Sequence, residues 1–278
     1  MDLIDTHQHL ILRDKLGYAW TDGVPALQGD FTPEDYARLV AGRGVIGTVF
    51  METGVDDADY QAEARLIAAL VGKDGMLGQI ASCRPESDSG FDDWLAECRD
   101  LSVVGFRRLL HVVDDAMSQS LGFRQNIAKI GAAGYTYDMV FHARQLGIAE
   151  ALARACPDQV LVLDHCGNPD VVGDGFDAWL VGLKRMAALP HVWLKFSGIT
   201  VNCAPRSASV QLLQPYTDAM LEVFGPSRMI WGGDWPVVDL AVGLPEWIDM
   251  SRKMLSGLSV AEQALIGHQN ARLIYGLN

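Results

Sequence analysis

Leu3-Ile4-Asp5-Thr6-His7-Gln8-His9 is an apolar, strand-forming run that ends in two histidines spaced two apart. Alternate side chains of a strand share a face, so His7 and His9 point the same way and can converge on one atom. The same stretch separates two architectures. A doubly wound open sheet usually carries a glycine-rich phosphate loop after its first strand, and here that place holds His7-Gln8-His9. A closed barrel keeps its catalytic groups at the C-terminal ends of its strands, where this pair falls if Leu3–His9 is strand one. Seven further runs read as strands: Gly47–Thr53, Met76–Cys83, Val103–Leu110, Tyr135–Phe141, Val160–Cys166, Val192–Gly198 and Met229–Trp235. Most are nearly continuous in apolar and β-branched residues, the pattern of parallel strands covered on both faces. Between them, Pro33–Gly42, Asp57–Val71, Gln145–Cys156, Phe176–Ala188 and Pro215–Phe224 have helical period. Thr32 before Pro33 is a helix cap followed by a first-turn proline, and Ser259 with Glu262 forms a capping box. The alternation predicts an α/β fold, a single-domain (β/α)8 TIM barrel over residues 1–278.

The chain is long enough for such a barrel, which typically takes about 250 residues. Its 22 Lys+Arg against 35 Asp+Glu leave a formal charge of −13, which repels nucleic-acid phosphates and anionic membrane surfaces. Five cysteines, at 83, 98, 156, 166 and 203, are odd in number and form no C-x-x-C pair, so no disulfide framework or zinc finger is expected and a reducing, cytoplasmic setting fits. No leader, membrane span, repeat or low-complexity tract is read. Gly17–Asp30 makes a long first βα loop. Without tails or coiled-coil patterns, monomer and homodimer are both open.

In Met229-Ile230-Trp231-Gly232-Gly233-Asp234-Trp235-Pro236 the last strand ends on an acid, and closure of the barrel brings Asp234 beside His7 and His9. Each of these residues alone has a bland alternative, a satisfied core histidine or a solvated loop acid. Polar residues end four more strands: Arg107-Arg108, Asp138 and His142, Asp164-His165, and Lys195 with Ser197. Alternation lets only one of Arg107 and Arg108 face inward, and likewise only one of Asp164 and His165, of which His165 is the expected inward residue.

Taken together, Ile4-Asp5-Thr6-His7-Gln8-His9, Val104-Gly105-Phe106-Arg107, Leu163-Asp164-His165-Cys166-Gly167, Lys195-Phe196-Ser197-Gly198, Gly233-Asp234-Trp235-Pro236 and Asn270-Ala271 resemble the amidohydrolase-related lactonases almost end to end. That group includes L-fuconolactonase, L-rhamnonolactonase and 2-pyrone-4,6-dicarboxylate lactonase. The resemblance implies an amidohydrolase-type barrel, lactone hydrolysis, an Asp234 that manages the water and leaving-group protons, and substrate contacts at His7, His9, Arg107, His165 and Lys195.

Arg107 stands where binuclear relatives carry a metal-bridging lysine or glutamate, and its charge disfavours a second metal. A single divalent ion, zinc first, has ligands in His7, His9, His142 and Asp234; the group includes members thought to work without metal. The expected division of labour has Asp234 as general base, with His7, His9 and His165, or a bound metal, as electrophile. Arg107, Lys195, His142, Asp138, Glu52, Trp20 and Trp235 are candidate substrate contacts, the tryptophans suiting a sugar face. A sugar-acid lactone such as L-fucono-, L-rhamnono- or L-galactonolactone is the first choice. A dicarboxylate pyrone or muconolactone would want more arginines, which Arg13, Arg84, Arg108, Arg124 and Arg206 could supply. The rivals are a zinc-dependent decarboxylase of an aromatic or muconate-like acid and a catalytically silent barrel.

Overall fold

The computed structural model describes all 278 residues. In chain order the elements are β1 Leu3–Gln8, α1 Pro33–Val40, β2 Val45–Met51, α2 Tyr60–Ala68, β3 Met76–Ser82, α3 Phe91–Glu97, β4 Val103–Leu109, α4 Leu121–Ala132 and β5 Thr136–Val140. There follow α5 Leu146–Ala155, β6 Leu161–Leu163, α6 Phe176–Ala187, β7 Val192–Phe196, α7 Val210–Phe224, β8 Met229–Trp231, α8 Leu244–Met254, α9 Val260–Ala264 and α10 Asn270–Tyr275. The eight strands form one parallel sheet in sequential order, the arrangement expected from the alternation of strand and helix.

The seam between β8 and β1 is closed largely by side chains. Asp5 Oδ1 accepts from the Gly233 and His7 amides (2.7 and 2.9 Å), and Tyr36 of α1 donates to Asp5 Oδ2. Thr6 Oγ1 donates to the Trp231 carbonyl at 2.7 Å, and the Asp234 amide donates to the His7 carbonyl at 2.7 Å. A side chain on Gly233 would place its Cβ 2.3 Å from Asp5 Oδ2, so glycine is required for the two strands to meet.

Local chemistry accounts for the helix starts. Thr32 and Asp35 form a capping box on α1, and Ser259 and Glu262 do so on α9. Helix α7 begins earlier than the expected Pro215: Ser209 caps it by accepting from the Leu212 amide, and Pro215 lies inside. A proline there forfeits one hydrogen bond near the helix start. Strand β6 is shorter than its apolar run, because His165 and Cys166 adopt left-handed backbone (φ +52° and +58°) and turn the chain after Asp164.

Two apolar regions hold the fold. Outward strand residues such as Phe106, Leu194 and Trp231 pack beneath the helices in a large cluster with Trp94, Trp179 and Trp247. Inside the barrel, Ile4, Val49, Ile80, Val162 and Ile230 meet Ala271, Tyr275 and Leu277 of the C-terminal segment, which seals the floor. Each such large apolar side chain contributes roughly 1.5–3 kcal/mol by burial. All five cysteines are free, and no helix is long and apolar enough to cross a membrane.

Candidate active site

Above the apolar floor, alternate residues of the strands point inward as Val162 and Asp164 of β6 and its end, Lys195 and Ser197 of β7 and its end, and Ile230, Gly232 and Asp234 from β8 onward. At the mouth, His7 Nε2 and His9 Nε2 approach Asp234 Oδ1 at 3.7 and 3.6 Å. The barrel thus brings together three residues expected from the sequence, across more than two hundred positions.

Hydrogen bonding fixes which atoms of this trio carry protons. His9 Nδ1 lies 2.9 Å from the Met51 carbonyl, which can only accept, so Nδ1 carries the hydrogen and the neutral form of the ring has its lone pair at Nε2. Arg107 Nη1, always a donor, lies 3.1 Å from His7 Nε2, so that nitrogen also accepts and His7 Nδ1–H faces Asp164 Oδ1 at 3.8 Å. Two imidazole lone pairs and a carboxylate oxygen therefore converge on one small space. Burial, together with the neighbouring His165, Lys195 and Arg107, holds His7 well below the usual histidine range and keeps it neutral. Burial likewise lowers His165, whose ring lies 4.4 Å from that of His7 and whose Nδ1 is 3.1 Å from Ser197 Oγ and 3.9 Å from Asp234 Oδ2.

Gly198 makes room for His165. A Cβ there would stand 2.3 Å from His165 Nδ1, and its φ of +66° disfavours any side chain. Gly198→Ala is expected to destabilise by about 1–2 kcal/mol from backbone conformation alone and to displace His165, so denaturant melts and turnover should fall together.

Beneath the trio runs a buried chain of alternating charge: Asp138, Lys195, Asp164, Arg107 and Glu52. Lys195 Nζ pairs with Asp138 Oδ2 and lies 3.0 Å from Asp164 Oδ1. Arg107 binds Asp164 Oδ2 at 3.3 Å, Glu52 Oε1 at 2.7 Å and the Glu52 carbonyl at 2.7 Å. Tyr275 of α10 donates to Asp138 from below. Three expectations are corrected here, and one is met. Lys195, Asp138 and Glu52, read as substrate contacts, lie behind the cavity wall and bind one another through this chain. Asp164 faces inward as well as His165, because the left-handed backbone at His165 breaks the strand alternation. Trp235 does not reach the cavity either; it packs edge-on against Phe31 and Tyr36. Of the two arginines, Arg107 alone faces in, and Arg108 pairs with Glu86.

Behind Glu52 lies Glu63, which the sequence reading passed over. Its Oε1 accepts from the Thr53 amide at 3.0 Å, and burial, then the adjacent Glu52, pushes its carboxyl up to about 8. A carboxyl whose folded value is raised loses stability as pH climbs from its ordinary range, about 4.3, to the folded value. Glu63→Gln should therefore raise the melting temperature at about pH 8 and make little difference at about pH 4.

The mouth opens into a cavity of about 510 Å³. His9, Arg107, His165 and Asp234 reach it, as do Trp20 from the first loop and His142 after β5. His111, Asn168, Asn202 and Thr53 also line it and were missed. His111 had a signal, since 107, 109 and 111 continue the inward period of β4. None of Arg13, Arg84, Arg108, Arg124 or Arg206 lines the cavity, where Arg107 is the one Lys or Arg.

The donor set at the mouth fits one cation. His7, His9 and Asp234 lie close enough to share an ion, and three protein ligands with an open position is the pattern of catalytic zinc. Arg107 Nη1 would have to leave the His7 lone pair it now occupies. His142 belongs to no such cluster; its exposed ring packs edge-on against His111 at 5.2 Å, which corrects its assignment as a ligand. Calorimetric titration with zinc is expected to show one site that His9→Gln abolishes and His142→Ala preserves.

A family model described as amidohydrolase matches residues 4–277. An L-fucono-1,5-lactonase of Burkholderia multivorans is 28% identical over 294 residues, covering 99% of this chain and 96% of the relative. A 4-sulfomuconolactone hydrolase of Rhizobium radiobacter is 29% identical over 241 residues, covering 84% and 75%. The crystal structure of an amidohydrolase from Burkholderia multivorans with bound zinc superposes with a TM-score of 0.91 at 26% identity, over the whole of both chains.

Proposed function

Because this chain belongs to the amidohydrolase family, we propose that it hydrolyses the ester bond of a small lactone, and that its substrate is a neutral sugar-acid lactone of the L-fucono, L-rhamnono or L-galactono kind. One observation carries the choice. The cavity's single guanidinium, Arg107, is already balanced by Glu52 and Asp164. A dicarboxylate or sulfonated lactone would bring one or more anions into a cavity with no spare cation, whereas hydroxyls find neutral donors and acceptors there. The curated relatives named as lactone hydrolases support the reaction class.

In this mechanism a water sits between His9 Nε2 and Asp234 Oδ1, both acceptors, beside the Arg107-bound His7, and gives its proton to Asp234 as its oxygen attacks the lactone carbonyl. Arg107 and His165 supply donors to the oxyanion that develops. As the ring C–O bond breaks, protonated Asp234 returns its proton to the departing ring oxygen, leaving the hydroxy acid and a regenerated carboxylate. A zinc ion held by His7, His9 and Asp234 would polarise the carbonyl and acidify the water. Asp164 and Glu52 keep Arg107 in place, and their roles are positional.

The test is acid release, followed with a pH indicator, from a panel of L- and D-series 1,4- and 1,5-aldonolactones and a dicarboxylate pyrone, before and after chelation. Hydrolysis of a stereochemical subset of the neutral lactones is expected. Silence on every lactone, with carbon dioxide released from an aromatic acid, would replace the hydrolase by the decarboxylase; preference for the pyrone would overturn the neutral substrate.

A further inference from the structure

The wall formed by His111, Asn168 and Asn202 carries polar atoms that neither the fold nor the hydrolytic centre uses. The His111 ring lines the cavity, and no hydrogen bond within the protein holds either of its nitrogens; Nδ1 is enclosed. Imidazole nitrogens are normally satisfied, and a ring left without a protein partner at a substrate cavity points to one that arrives with the ligand. Asn202 Nδ2 donates to Asn168 Oδ1 at 3.3 Å, and Asn168 Nδ2 donates to the Phe141 carbonyl at 2.9 Å. The two amides are thereby held in a row, with Asn202 Oδ1 left for an outside donor. A second cavity of about 270 Å³ shares Asn168, Asn202 and His142 with the first, so the two asparagines are reached from both sides.

We propose that His111 and Asn202 form a hydroxyl-reading face that binds the hydroxyl-bearing side of the lactone and selects polyhydroxylated lactones over bare ones. This rests on the lactone hydrolysis proposed above and adds the residues that set its selectivity. Imidazole and amide groups each donate and accept, which suits hydroxyls of either orientation. Burial, first, and the nearby His165 and Arg107 hold His111 down to about 3, so it meets the substrate uncharged across the working pH range. A neutral face adds nothing for a carboxylate and penalises a ring that leaves its polar atoms unpaired.

The experiment compares wild type, His111→Phe and Asn202→Ala on L-fucono-1,5-lactone, or the best aldonolactone of the panel, and on δ-valerolactone, a six-membered lactone without hydroxyls. Phenylalanine preserves the ring that packs against His142 and removes only its polar atoms; Asn202→Ala tests the face independently should the first variant fold poorly. Each variant is expected to raise KM for the hydroxylated lactone about tenfold, the scale of one hydrogen bond, with kcat within about twofold. The kcat/KM for δ-valerolactone, or its inhibition constant if turnover is too slow to follow, should be unchanged. Equal losses on both lactones, a fall in kcat with KM held, or no loss at all would overturn the hydroxyl-reading face. A wild type inert on every lactone would instead overturn the hydrolytic reaction on which it rests.

Discussion

Asp234→Asn is expected to lower kcat on the best lactone by about 10²–10⁴-fold, the usual cost of removing a general base, without unfolding the protein. Asparagine is nearly isosteric with aspartate and, after glycine, is among the residues that best tolerate the left-handed backbone that Asp234 adopts at φ +59°. The main-chain bonds at this position, to the His7 carbonyl and from the Val238 amide, do not involve the side chain. What disappears is the anionic oxygen that faces two imidazole lone pairs. An amide can neither take the water's proton nor return one to the ring oxygen. Turnover should be measured beside a thermal melt; a variant within tenfold of wild type and equally stable would transfer the base to another group at the mouth.

Lys195→Met should have the opposite signature. Lys195 is wholly buried between Asp138 and Asp164, and its removal leaves two carboxylates facing each other without the cation between them. Breaking a buried ion pair on one side costs about 3–5 kcal/mol. Because the lysine does not reach the cavity and acts on His7 and Arg107 only through its neighbours, kcat/KM of the folded fraction should fall far less than in Asp234→Asn. The pH dependence sharpens the distinction. Burial already pushes the Asp138 carboxyl up to about 7, against the pull of Lys195. Without the lysine it rises further, so stability drains away more steeply as pH climbs above the ordinary carboxylate range, and the deficit should be larger at about pH 8 than at about pH 5. Denaturant melts at both values decide the matter. Unchanged stability with a raised KM would return Lys195 to the cavity wall.

The parts of the site that were legible in the sequence follow from strand period. His7 and His9 on one face, and only one of Arg107 and Arg108 facing in, depend only on alternation and on eight strands closing in order; that the inward one is Arg107 came from the resemblance. Depth was not legible. A polar residue near a strand end reads the same whether it meets the cavity or another charge below it, which is why Lys195, Asp138 and Glu52 looked like substrate contacts. Asp164 escaped because one non-glycine residue, His165, takes a positive φ that no propensity announces, and two successive side chains then serve the interior. Glu63 and Tyr275 come from helices, and their partners are set by packing across the barrel. Trp235 was read for its chemistry, when its ring is spent on Phe31 and Tyr36. Asn168 and Asn202 sit at the ends of short 3-10 turns after β6 and β7, where neither period nor hydropathy says which way a side chain turns.

The seam held by Asp5 has a consequence for how the molecule comes into being. Its partner Gly233 is separated from it by 228 positions, and the floor is plugged by residues 271–277, which follow every strand in the chain. During synthesis β1 therefore emerges with one edge unpaired and waits for the six intervening strands before β8 arrives to cover it. Contacts of such long range close slowly, and an open parallel edge is sticky meanwhile. Strand β8 thus acts as the keystone: a nascent chain stalled before residue 229 would hold seven of the ten helices and lack a closed mouth.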